Sequence, residues 1–99
     1  MNPKTITVVA TFQARPGKEN ELKTALLTLT GPTRKEAGCL NYDLHQSSED
    51  PGKFLFHENW TSKELLDAHL KSPHIAALLP RVDELCVGFP EIKIWGKIA

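Results

Sequence analysis

Glu58 carries the sharpest chemical signal in the chain. Along residues 53–60 it shares the parity of Phe54, Phe56 and Trp60, which puts a carboxylate on the apolar face of a segment that alternates like a strand. A buried carboxylate is costly, so it is either paired or holds a raised pKa. A raised pKa suits a general acid or base near neutrality. The structural alternative is that Glu58 ends its strand and pairs with a Lys or Arg. The histidines are His45, His57, His69 and His74. On one continuous helix, His69 and His74 would be about 140° apart, poor for joint ligation of a metal. A break at Ser72-Pro73 would bring them together, yet no metal site is expected. His45 and His57 fall on the other face of their strands. Tyr42 and Trp60 suit a pocket for a planar molecule, and equally a plain core. Cys39 reads as a small buried thiol rather than a nucleophile. Glycine-rich phosphate loops and the GxSxG motif are absent.

These residues need elements to position them. Residues 4–13 alternate, with Ile6, Val8, Ala10 and Phe12 on one side, and read as a strand. Pro16-Gly17 turns the chain. Leu22, Ala25, Leu26 and Leu29 form a helical stripe. Gly31-Pro32 should end or kink that helix, with a last turn to Ala37 and Gly38 as a left-handed stop. Residues 39–46 alternate again, with Leu40, Tyr42 and Leu44 on one face. Residues 47–52 are a loop, and 53–60 return as a hairpin. Thr61-x-x-Glu64 has the form of a capping box for a helix carrying Leu65, Leu66 and Leu70. Ser72-Pro73 starts a second helix, with a kink expected at Pro80. Residues 91–98 close the chain as a strand bearing Ile92 and Ile94. The order β-α-β-β-α-β predicts an α+β, ferredoxin-like fold: a four-stranded antiparallel sheet with the helices on one face. Ile6, Val8, Phe12, Leu40, Tyr42, Leu44, Phe54, Phe56, Trp60, Ile92 and Ile94 should meet the helices. The opposite face, with Thr7, Val9, Asn41, Leu55, His57 and Trp95, is mixed, which suits either solvent or a second copy.

Length and composition bound the rest. The 99 residues predict a single domain, 1–99. Twelve Lys and Arg balance twelve Asp and Glu, which argues against a nucleic-acid binder and against a polybasic membrane module. Two cysteines, Cys39 and Cys86, make no disulfide framework and no zinc spacing. The opening Met1-Asn2-Pro3-Lys4 leads into the alternating segment without an apolar stretch, so a cytoplasmic protein with reduced thiols is expected.

Three groups of residues carry a resemblance: Glu36-Ala37-Gly38-Cys39-Leu40-Asn41-Tyr42-Asp43-Leu44-His45; Phe54 with Glu58-Asn59-Trp60; and Leu66, His69 and Ser72-Pro73-His74. Together with Arg15-Pro16-Gly17-Lys18, they resemble the antibiotic biosynthesis monooxygenase domain family, in its small quinol-monooxygenase-like branch. The resemblance implies a homodimeric α+β barrel, two sheets packed face to face, with a pocket between each sheet and its own helices. It implies oxidation of a quinol or related phenol by O₂ with no metal, flavin or other cofactor, the electron-rich ring itself reducing O₂. The protein would bind, deprotonate and exclude water. The aromatic-polyketide oxygenases of the family carry an Asn and a Tyr where this chain has Phe56 and Leu66. The haem-degrading branch carries a Trp and a His near His69 and Leu79. A phosphorylated-dicarbonyl isomerase is a further relative, for which Arg34, Lys35 or Arg81 would have to cradle the phosphate. A non-oxidative isomerase and a ligand-binding stress-response module without turnover are therefore the alternatives.

On this reading Tyr42, Phe54, Phe56, Trp60 and Leu66 line the substrate side. Glu58, His69 and His74 are the catalytic candidates. Either a histidine takes the hydroxyl proton while Glu58 orients it, or Glu58 is itself the base.

Overall fold

The computed structural model describes residues 4–99. The reading of Met1-Asn2-Pro3 lies outside them. The elements are β1 (Ile6–Gln13), α1 (Glu19–Leu27), α2 (Thr30–Arg34), β2 (Cys39–Gln46), β3 (Lys53–Trp60), α3 (Lys63–Leu70), α4 (Pro73–Leu85) and β4 (Glu91–Trp95). All sheet pairings are antiparallel and the order is β2-β3-β1-β4, so the chain has the ferredoxin-like α+β fold. No helix among the described residues is long and apolar enough to cross a membrane.

The alternation decides the core. Val8, Ala10 and Phe12 of β1 and Phe54, Phe56 and Glu58 of β3 point to the helix side and are buried. There they meet Leu22, Ala25 and Leu26 of α1, Leu66 of α3, and Leu78, Val82 and Leu85 of α4. On the other face the strands are joined by polar side chains. Thr7 Oγ1 donates to Asn59 Oδ1 at 2.6 Å, and Asn59 Nδ2 donates to Asn41 Oδ1 at 2.7 Å.

Several local expectations change. The first helical segment breaks at Thr28–Leu29, ahead of Gly31-Pro32. Pro32 then falls in the first turn of α2, where a missing N–H costs nothing. The cap of α3 is Ser62, one residue later than the capping box suggests. The Leu65 N–H donates to Ser62 Oγ at 3.3 Å, while the Thr61 N–H is spent on the Gly38 carbonyl at 2.9 Å. Helix α4 runs through Pro80 to Leu85. Strand β4 stops at Trp95, short of residue 98.

Three residues expected against the helices are not there. Leu40 is the extra residue of a bulge between Cys39 and Asn41 and is exposed; an inserted residue leaves the ladder and re-aims its side chain. Ile92 and Ile94 lie on the correct face, opposite Ala10 and Val8, yet stay about half exposed because β4 is the sheet edge and its main neighbour is β1.

Candidate active site

Glu58 sits at the middle of β3, flanked by Val8 of β1 and Tyr42 of β2. Period-two alternation carries it to the helix side between Phe56 and Trp60, and it is 3% exposed. Its Oε1 accepts the Trp60 indole N–H at 2.9 Å. Burial pushes its pKa up to about 7, helped by the Glu36 charge and opposed by the Trp60 hydrogen bond. Burial, and then the Glu58 charge, also push the Tyr42 phenol well above its ordinary value, so it stays a hydrogen donor. The same influences raise the Cys39 thiol and disfavour a thiolate.

The histidines arrive from the helices. His69 lies in the last turn of α3, and His74 in the first turn of α4. The chain breaks between them at Ser72, extended at φ −67° and ψ 155°, with Pro73 opening α4. The break brings the two rings to 5.9 Å, which a single straight helix would not. Ser72 Oγ does not cap the α4 backbone; it pairs with His74 Nε2 at 3.2 Å.

The partner of both histidines is Glu36, not Glu58. Glu36 Oε2 lies 2.6 Å from His69 Nδ1 and 3.1 Å from His74 Nε2. The expected Glu58–histidine pair is therefore replaced by two separate units, Glu58–Trp60 and His69–Glu36–His74. Glu36 reaches the histidines because Gly38 turns the chain at φ +84°, so close to α3 that a Cβ there would collide with Leu65 and Thr61. The signal that would have found Glu36 is its position. An acid just past the C-terminus of α2 is disfavoured by the helix dipole, and it stands two residues before the left-handed Gly38.

Glu58 and His69 share one cavity between the sheet and α3–α4. Its volume is about 70 Å³, and its wall is otherwise hydrocarbon apart from Tyr42. Tyr42, Phe56 and Leu66 line it as expected. Tyr42 stacks on Phe56 with ring centres 4.2 Å apart and meets His69 edge-on at 5.4 Å. Two of the expected substrate contacts stand elsewhere. Phe54 is buried near the 47–52 loop, outside the lining, and Trp60 stands behind it, with its ring centre 4.7 Å from that of His69. Trp60 therefore holds Glu58 and packs against His69 from outside the cavity lining. His74 is also behind the wall and touches the cavity only through Glu36 and His69.

The arrangement can move a proton. Glu36 takes the Nδ1 side of His69, which leaves Nε2 as the ring nitrogen free to accept. Burial lowers the His69 pKa, against the opposing hydrogen bond that the ring donates to Glu36. Among the described residues, Glu36, His69 and His74 also have ligand-type atoms that all lie within 4.8 Å of one another.

Comparison with known proteins gives the family and the fold. The sequence profile of the family described as "Antibiotic biosynthesis monooxygenase" matches residues 5–81. A Mycobacterium tuberculosis protein named "Putative monooxygenase Rv0793" is 38% identical over 80 residues, covering 81% of this chain and 78% of that protein. Its solved structure superposes with a TM-score of 0.89 at 30% identity, over 96% of each chain. The crystal structure of PA3566 from Pseudomonas aeruginosa superposes with a TM-score of 0.92 at 32% identity, over 97% of this chain and 96% of that one. The chain belongs to the antibiotic biosynthesis monooxygenase family.

Proposed function

We propose that the chain is a monooxygenase that oxidises a quinol or related phenol with O₂ and needs no cofactor. The observation that carries this reading is the pairing of Glu58 and His69 on one hydrocarbon cavity, each with its ionisation displaced toward proton transfer by burial. His69 Nε2 takes the hydroxyl proton, and Glu36 on Nδ1 holds the ring and stabilises the imidazolium. The phenolate passes one electron to O₂, and the radical pair joins at a ring carbon. The resulting peroxide is protonated by the imidazolium. Loss of the ring C–H proton then breaks the O–O bond, leaving a quinone carbonyl and one water. Glu58, with Oε1 held by Trp60, offers Oε2 to a second substrate hydroxyl. The apolar wall excludes water from the charged intermediates.

The cavity is smaller than the roughly 150 Å³ that admits a benzene ring. A bound ring therefore extends to the mouth, where Leu79 and Ile92 stand. We further propose that two copies associate through the polar sheet face, with Trp95 and Lys97 at the contact. Trp95 is 54% exposed there beside Thr7.

The test is O₂ uptake with a naphthohydroquinone, corrected for uncatalysed oxidation and run with a chelator present. Uptake that persists with chelator and falls by about 10²-fold or more in His69→Gln supports the reading. Turnover of substrate under strict anaerobiosis would instead assign a non-oxidative isomerase. Sedimentation equilibrium at tens of micromolar tests the dimer, and a monomer there overturns it.

A further inference from the structure

We propose that Glu36, His69 and His74 form a binding site for one divalent transition cation of the zinc class, and that filling it switches His69 from proton acceptor to proton donor. Three segments converge on the site: the α2–β2 turn, the end of α3 and the start of α4. They supply one carboxylate oxygen and two imidazole nitrogens, a ligand set suited to zinc, copper or nickel. Glu36 Oε2 is 2.6 Å from His69 Nδ1 and 3.1 Å from His74 Nε2, and the three ligand atoms lie within 4.8 Å of one another. A tetrahedral zinc with bonds of about 2.0–2.1 Å holds its ligand atoms roughly 3.3 Å apart. The two glutamate contacts therefore open by less than about 1 Å as a cation replaces the shared hydrogens, and the nitrogen–nitrogen edge, at most 4.8 Å, closes by no more than about 1.5 Å. Ser72 Oγ, 3.2 Å from His74 Nε2, or a water completes the shell. The side chains also grade from solvent to interior, Glu36 and His74 at 19% exposed and His69 at 3%, which gives an ion a way in without crossing the cavity.

The consequence follows from tautomer chemistry. Without an ion, the hydrogen of neutral His69 sits on Nδ1 facing Glu36, and Nε2 accepts. An ion on Nδ1 leaves Nε2 as the only place for that hydrogen. His74 makes the opposite change, from hydrogen on Nε2 to hydrogen on Nδ1. No proton is lost from either ring. A hydroxyl in the cavity then meets an N–H instead of a lone pair. Ion binding stands independently of the proposed oxygenation; the resulting loss of activity rests on that reading.

The experiment starts from chelator-stripped protein titrated with Zn²⁺ by calorimetry and with Co²⁺ by visible absorption. One ion per chain is expected, with the intense bands of low-coordinate Co²⁺. E36Q and H74Q should each weaken binding at least tenfold, while the double variant H45Q/H57Q should bind as wild type does. Circular dichroism checks that each variant folds; because His74 is partly exposed, H74Q keeps the test intact should E36Q fail to fold. Equal binding by wild type and H74Q, or loss of binding only in H45Q/H57Q, overturns the site. Long-range ¹H–¹⁵N spectra of the imidazoles read the switch directly: the His69 hydrogen should move to Nε2 as Zn²⁺ is added. A hydrogen that stays on Nδ1 overturns the switch. In the O₂-uptake assay, saturating Zn²⁺ should cut the rate at least 10²-fold, reversed by chelator. If the ion binds and the tautomer flips but stripped protein consumes no O₂, the site and the switch stand and the oxygenase reading falls.

Discussion

Strands β3 and β4 both alternate, and their fates differ. In β3, Phe54, Phe56, Glu58 and Trp60 are all buried, whereas every residue of β4 is exposed. Both strands pair with β1, and both turn branched or aromatic residues to the helix side. What separates them is cover: β3 is central, between β2 and β1, and β4 is an edge. Alternation therefore identifies a face, and helix cover decides whether that face leaves water: β2 is also an edge, yet Tyr42, on the strand that α2 packs against, is buried. The difference matters for chemistry, since burial is what moves Glu58 toward neutrality.

The contrast can be pressed by substitution. The largest effect is expected at Phe56, which is 1% exposed, stacked on Tyr42 and edge-on to Phe12. Phe56→Ala should cost about 3–5 kcal/mol in urea unfolding, from lost transfer energy and the cavity left behind.

Next comes the pH dependence set by Glu58. Its carboxyl binds a proton up to about pH 7 in the folded chain and only to an ordinary 4.5 when unfolded. The folded state thus holds more protons between those values, and stability falls as pH rises through that window, by about 3 kcal/mol, then levels off. Glu58→Gln should remove this falling component and gain on wild type toward pH 8, measured as urea midpoints from pH 4 to 8. Because the lowered His69 pKa adds an opposite trend to both proteins, the readout is the difference between them: a wild-type-minus-variant stability that does not fall across the window would mean that the carboxylate is solvated or paired with a cation.

The smallest effect belongs to the edge. Ile94 is 50% exposed, and Ile94→Ser should change stability by less than about 1 kcal/mol, within the usual range for surface sites. A loss there comparable to Phe56→Ala would show that something covers β4 in solution.

Much of the scaffold was legible because it rests on short-range pattern. The strand alternations, the left-handed backbone of Gly38 and the Ser72-Pro73 break are all local signals, and each appears in the structure, although α2 ends at Arg34, so Gly38 turns the chain into β2 instead of stopping a helix that runs to Ala37. Glu58 was legible for the same reason, since its parity with Phe56 and Trp60 is a matter of two residues. Its partner was not. Glu36 meets His69 and His74 across 33 and 38 residues, and no periodicity reports a contact at that range. Leu40 was misplaced because a bulge shifts register without any signal in the alternation. Ser62 displaced Thr61 as the cap of α3 although both can cap, and the Thr61 N–H is tied instead to the Gly38 carbonyl, a distant backbone group.

Gly38 sets a limit on how this site can vary. It carries no chemistry of its own, yet a single methyl at its Cα would strike Leu65 and Thr61, and its φ of +84° is strained for any side chain. The turn would have to lift from α3, and Glu36, two residues upstream, would lift with it. A survey of tolerated substitutions would therefore score this position as though it were a ligand residue. Its defects would not be rescued by adding back charge, because what is lost is the close approach of the turn to the Leu65 and Thr61 side chains. Redesign of the pocket for other substrates has freedom along Leu79 and Ile92, and none at the turn that holds the carboxylate in reach.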